Sequence, residues 1–235
     1  NVVTSTPTSG ATFTVDNTVP TQTVSGVDIS ADTGTLDSDF ITKTAAQTIT
    51  GTLSANLADS DILNGSVNNG SGWTNITSKV SGTGITWNGA TLSGSSNILF
   101  KITDAAGNDS NTSGSQAYVL DTTAPTASLI TTGEIDPSSN QDVVVKSTEA
   151  GKVYLVCTDK ITVSVLDNIT SADVNYWNEV TISEAEANSN KTLETDGLRD
   201  QDGPPEWTNY HAYAVDAAGN FSSLLRSSNS VSVKN

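Results

Sequence analysis

A single cysteine, Cys157, and a single histidine, His211, are all the thiol and imidazole chemistry this sequence holds. One cysteine rules out an intrachain disulfide. One histidine beside one thiol leaves no four-ligand zinc site and no convincing Ser-His-Asp or Cys-His arrangement. Cations are scarce too: ten Lys and Arg stand against 26 Asp and Glu, a formal charge of −16. Phosphate binding needs clustered Lys and Arg, so nucleic acid and anionic membrane surfaces are excluded as partners. No apolar run is long enough to cross a bilayer, and no leader or lipidation motif is read, so membrane insertion is not expected. Amphipathic runs of helix formers are also rare, which argues against a helical bundle. Carboxylate pairs such as Glu184 with Glu186 arise in any acidic chain and do not by themselves make a glycosidase. The chain is expected not to be an enzyme.

What the sequence does have is repetition. Asp121-Thr122-Thr123-Ala124-Pro125-Thr126 echoes Asp16-Asn17-Thr18-Val19-Pro20-Thr21, 105 residues earlier. In each copy an apolar residue (Leu120, Val15) precedes the Asp, and a proline four residues on stiffens the chain and withholds a ladder hydrogen bond. Each copy therefore reads as a joint. A second motif, Asp104-Ala105-Ala106-Gly107-Asn108, recurs as Asp216-Ala217-Ala218-Gly219-Asn220 after 112 residues. A period near a hundred residues is a domain, so the chain reads as tandem modules.

Residues 1–20 are expected to be the last strand of a preceding module with its linker, since Ala11-Thr12-Phe13-Thr14-Val15 matches the text before the second joint. The chain is accordingly read as an excerpt of a longer protein. Module one, 21–121, shows strand patterns over 23–29, 47–53, 62–67, 73–76, 85–87 and 97–103, separated by Gly, Asn and Ser turns. Module two, 122–235, shows them over 127–131, 142–147, 152–157, 161–165, 179–182, 191–195, 210–215 and 230–233, with Cys157 as a buried strand residue. A short helix is expected within 183–190, and about 183–209 is read as a loop insertion. Many short strands with turns about every ten residues predict an all-β chain of two immunoglobulin-like Greek-key β-sandwiches placed end to end.

That topology sorts the acids. The A–B loop of module one carries Asp28, Asp32, Asp37 and Asp39 toward Asp121, where the F–G turn of module two (Asp216, Asn220) and its B–C loop (Glu149) also arrive. Asp16 meets the F–G turn of module one (Asp104, Asn108, Asp109) and its B–C loop (Asp59, Asp61) in the same manner. Carboxylates gathered at 4 Å repel by about 4 kcal/mol per pair at an effective dielectric near 20. No basic residue is read within these loops, so a cation is expected to neutralise them. Hard oxygen donors in flexible loops suit Ca²⁺ as a structural ion. Asp200-Gln201-Asp202-Gly203 matches an EF-hand loop only in part and reads as a turn.

Gly26-Val27-Asp28-Ile29-Ser30-Ala31-Asp32-Thr33-Gly34, Asp39-Phe40-Ile41-Thr42 and the two repeated motifs resemble the bacterial immunoglobulin-like repeats of giant surface adhesins, the large biofilm and RTX-type proteins. The likeness covers module one; module two shares its F–G turn and Ser147-Thr148-Glu149-Ala150-Gly151 but departs in its middle. The resemblance implies an extracellular stalk at the bacterial cell surface that supports adhesion or biofilm formation. Its joints would be stiffened by Ca²⁺ and its partners would be neighbouring repeats of the same chain. A host, surface or glycan ligand would be engaged through other domains. An alternative reading makes module two a carbohydrate- or peptide-binding module with Trp177, Trp207 and Tyr210, beside Tyr176, as an aromatic platform.

Overall fold

The structure, a computed structural model, describes residues 14–136, 141–195, 198, 207–222, 227 and 229–234. The chain divides into two compact units: Asn1–Ser30 with Ala46–Tyr118, and Ala31–Ala45 with Val119–Asn235. Among the described residues no helix is long and apolar enough to cross a membrane.

The first half of the chain gives β1 (Val24–Ile29), β2 (Ile41–Thr42), β3 (Ala46–Leu53), β4 (Ile62–Ser66), β5 (Thr74–Asn75), β6 (Val80–Ser81), β7 (Gly84–Thr91), β8 (Ser95–Thr103) and β9 (Ser113–Leu120). In unit one a sheet ordered β1-β3-β7-β6 faces one ordered β9-β8-β4-β5. Alternation decides which side chains meet: Ile49 and Leu53 of β3 and Ile98, Phe100 and Ile102 of β8 are buried, while their neighbours along each strand are more exposed. Trp87 meets Phe100 edge-on, with ring centroids 6.4 Å apart. Gly65 lies beneath that indole, where a Cβ would stand 2.6 Å from Trp87 Cζ3. Tyr118 donates its phenol to the main-chain oxygen of Val67 (2.6 Å) and so ties β9 to the turn after β4.

The second half gives β10 (Ala127–Leu129), β11 (Gly133–Ile135), β12 (Val143–Ser147), β13 (Gly151–Cys157), α1 (Leu166–Thr170), β14 (Trp177–Ile182), β15 (Lys191–Leu193), β16 (Trp207–Asp216) and β17 (Val231–Lys234). Sheets β10-β12-β15 and β11-β17-β16-β13-β14 enclose the main core of unit two, with Val145, Leu155, Tyr210 and Val231 among its members. The chain is all-β in two tandem β-sandwiches, as its strand pattern predicts.

Three features depart from the sequence reading. Strands β2 and β11 are two or three residues long and pair in parallel with β9 and β17; segments so short carry no periodicity. Residues 161–165 form no strand. Ile161 packs with Ile169 against Tyr154, Val156, Tyr213 and Val215 on the outer face of the sheet, a second small core. The Asn168 carboxamide accepts from the backbone amides of Ser164 and Val165 there, which starts α1 in place of a ladder. Burial on both faces accounts for the continuous apolar run of β13. Finally, 183–190 holds a 3₁₀ turn, Glu184–Glu186, in which Ser183 and Glu186 cap one another and Lys191 pairs with Glu186. Cys157 is buried as expected, and burial raises its thiol pKa.

Candidate metal centre

The two Asp-Ala-Ala-Gly-Asn turns fold alike. In unit one the amide of Asp104 donates to the oxygen of Asn108 (3.0 Å) and that of Gly107 to Asp104 (3.1 Å). In unit two Asp216 donates to Asn220 (3.1 Å) and Gly219 to Asp216 (3.2 Å). Gly107 and Gly219 take φ of +91° and +82°, a region glycine enters without cost. The asparagine that ends each turn reaches the joint. Asn220 Nδ2 donates to the main-chain oxygen of Asp121 (2.9 Å) and to Asp216 Oδ2 (2.8 Å); Asn108 Nδ2 donates to Asp16 oxygen (3.0 Å) and Asp104 Oδ2 (2.9 Å). Asp121 and Asp16 each accept the amide two residues on, from Thr123 and Thr18. Repeated sequence has produced repeated geometry down to single hydrogen bonds.

In unit two the arrangement goes further. Asp121, Glu149 and Asp216 bring a carboxylate oxygen each within 4.8 Å of one another, with Asp216 buried and the other two partly so. Lys101–Asp109, Lys152–Glu179 and Lys191–Glu186 are ion pairs among the described residues, and none of these includes the triad. Repulsion of about 3.5 kcal/mol per pair follows at an effective dielectric near 20. The titration directions agree: burial first, then Asp121 and Asp216, raises Glu149, while burial outweighs the Asn220 hydrogen bonds to raise Asp216.

The cover over this turn comes from Ala31–Ala45, which belongs to unit two. Thr33 Oγ1 donates to the oxygen of Ala218 (2.8 Å), and Lys43 Nζ donates to that of Gly219 (2.5 Å). The fit leaves no room for side chains, since a Cβ on Gly34 would stand 2.3 Å from the oxygen of Ala217 and one on Gly219 2.4 Å from that of Thr33. Asp121 joins the same clasp, its amide donating to Thr42 oxygen (2.9 Å).

Charge counting along the sequence misses two cations beside these loops. Lys43 serves the clasp through a carbonyl, and Lys101 neutralises Asp109 at 2.6 Å. The other candidate acids are spread out. Asp32 Oδ2 accepts from the amide of Phe40 and Asp39 from that of Ile41, so both shape the loop. Asp28, Asp37 and Asp59 are exposed. Asp61 is buried and accepts from the amide of Ala58. Among the described residues no second carboxylate triad forms around Asp16 and Asp104. Of the aromatic candidates, Tyr210 is fully buried in the core, and Trp177 is partly buried against Tyr154, ring centroids 5.8 Å apart. The side chain of Trp207 and the 200–203 run lie outside the described residues.

Opposite titration directions in twin turns give a test. Asp104, only half-buried, is held below its ordinary value of 3.8 by the Asn108 hydrogen bonds, whereas buried Asp216 is raised above the same value. A lowered acid contributes stability that is present above its unfolded pKa and lost as pH falls through the folded one. A raised acid does the reverse, so in chelator unit two gains stability as pH falls through the folded pKa values of Glu149 and Asp216. Carboxyl-resolved NMR titration is expected to place Asp104 below and Asp216 above an unstructured Asp. Coincident curves would contradict the burial argument.

No family model and no curated protein matches the chain. Among solved structures, the fibronectin(III)-like modules of Clostridium thermocellum CbhA are similar over 88% of this chain and 93% of theirs, at 13% identity and a TM-score of 0.39. A tetra-tandem repeat from the extending region of a large adhesion protein is similar over 91% of this chain at 14% identity and a TM-score of 0.31. Only 49% of that second structure is covered, so the chain spans about half its length.

Proposed function

We propose that the chain is a non-catalytic spacer segment of a large bacterial surface adhesin, with Asp121, Glu149 and Asp216 holding a structural Ca²⁺. The observation that carries the metal reading is the triad itself: three carboxylates within 4.8 Å, partly or fully buried, and outside the three ion pairs described above. The donor set fits a hard ion. Ca²⁺ accepts about six to eight oxygens in a flexible geometry, whereas Mg²⁺ demands a near-ideal octahedron at shorter bonds. Asn220, whose amide nitrogen faces Asp121 and Asp216, positions ligands and is not one through that atom. Asp121 opens the joint after β9, so a cation shared with Glu149 and Asp216 pins the start of that segment to the body of unit two. Pinning the joints of a tandem array in this way would make a stiff stalk, the role implied by the sequence resemblance.

Thermal unfolding of the full chain in calcium and in chelator tests this. A ligand at 100 to 1,000 times its Kd adds about 2.7–4 kcal/mol. At roughly 2–4 °C per kcal/mol, the midpoint of unit two is expected to rise by about 5–16 °C, and by much less in equal Mg²⁺. An unchanged midpoint would make the triad a solvated acidic patch and remove the metal from the reading.

A further inference from the structure

The twin turns differ in one respect that their shared sequence does not explain. Ala218 is 1% exposed and a Cβ on Gly219 would strike Thr33. In unit one Ala105, Ala106 and Gly107 are exposed, and a Cβ on Gly107 would meet nothing within 4 Å. The backbone hydrogen bonds, the positive-φ glycine and the asparagine link to the joint are otherwise the same. Among the described residues, unit two has a segment laid across its turn, Ala31–Ala45, and unit one has none of that kind.

We propose that the Asp104–Asn108 turn of unit one is a docking surface for the Ala31–Ala45 segment of another repeat, supplied experimentally by a second copy of this chain. Thr33 would donate to the oxygen of Ala106 and Lys43 to that of Gly107, by correspondence with Ala218 and Gly219. Gly34 would lie over Ala105, as it lies over Ala217. The segment brings its own shape to the contact. Asp32 accepts the amide of Phe40, and the Thr42 hydroxyl donates to Ala31 oxygen (2.5 Å), so the loop stays folded when undocked. Gly107 must remain glycine for its φ and Gly34 for the close approach, which makes the surface selective for loops with a small residue at that point. The occupant's origin in a tandem array rests on the spacer reading; the contact itself does not involve the metal.

The test uses two full chains. Isotope-labelled wild type is titrated with unlabelled Gly219→Val chain, whose own turn can no longer seat Ala31–Ala45 and so leaves that segment free. An Ala218→Asp chain serves as a second donor in case the valine disturbs unit two. Saturable shifts centred on the Ala106 and Gly107 amides are expected with either donor. Wild-type donor, whose segment is engaged, should produce none, and neither should donors that also carry Gly34→Val. Amides of 104–108 that stay fixed with both donors, or that move equally with wild type, would overturn the proposal. Loss of the calcium response would leave this result untouched, so the two readings fail separately.

Discussion

Gly151→Ala is expected to lower the unfolding midpoint of unit two by about 10 °C while leaving that of unit one where it is. Gly151 opens β13 at a φ of +138°, and a Cβ there would lie 2.0 Å from the oxygen of Val215 and 2.8 Å from Asp216 Cα. The strand cannot step aside, because Gly151 is paired on one edge with Ile182 and on the other with Asp216. Backbone strain of about 1–3 kcal/mol adds to an overpacking cost of about 1–3 kcal/mol. At roughly 2–4 °C per kcal/mol the sum reaches about 10 °C. Calcium should also lose part of its effect, since Glu149 stands two residues before the altered strand and Asp216 faces it. Differential scanning calorimetry with and without Ca²⁺ reads both consequences. A drop under about 3 °C would mean the strand end relaxes in a way its double pairing does not allow for.

The same glycine shows what the sequence could and could not convey. Ser147-Thr148-Glu149-Ala150-Gly151 is recognisable as a B–C turn, and Asp121, Glu149 and Asp216 can be brought together from topology alone, because loops at one pole of a sandwich converge whatever their contents. The strand pattern likewise predicts most elements, since alternation over five or more residues survives folding, as in β3 and β8. Close approach leaves no such trace: nothing in the text separates Gly34 or Gly151 from an ordinary turn glycine. Nor does it separate Asp104 from Asp216, which share a motif and differ only in what lies over them. Lys43 escapes a count of charge pairs, because its ammonium serves a carbonyl. The outer layer of 158–176 is hidden for a related reason. Ile161 and Val163 look like strand residues until the second face of β13 needs covering.

Covering is what Gly34→Val should undo. Its Cβ would stand 2.3 Å from the oxygen of Ala217 and 3.2 Å from that of Ile41, both backbone atoms, so the Ala31–Ala45 segment must lift from the turn. Lifting breaks the Thr33 and Lys43 hydrogen bonds to Ala218 and Gly219, at about 1 kcal/mol or somewhat more each, and uncovers Ala218. A cost of about 2–4 kcal/mol raises amide exchange at Ala218 and Gly219 by roughly 30- to 1,000-fold, toward the rates of Ala106 and Gly107 in the same molecule. Asp216 should change with it. Burial is the largest cause of its raised pKa and the Asn220 hydrogen bonds oppose it, so exposure leaves the hydrogen bonds in control and the shift reverses to the direction of Asp104. Calcium binding is expected to weaken about tenfold, because Asp121 is deprived of the Thr42 oxygen that holds its backbone. Hydrogen exchange, the Asp216 titration and calorimetric calcium binding on one variant therefore read one event three ways. If exchange at Ala218 rose while Asp216 stayed raised, its burial would have to come from unit two's own sheets, and the clasp would be a lid over the turn with no part in the electrostatics of the carboxylate triad.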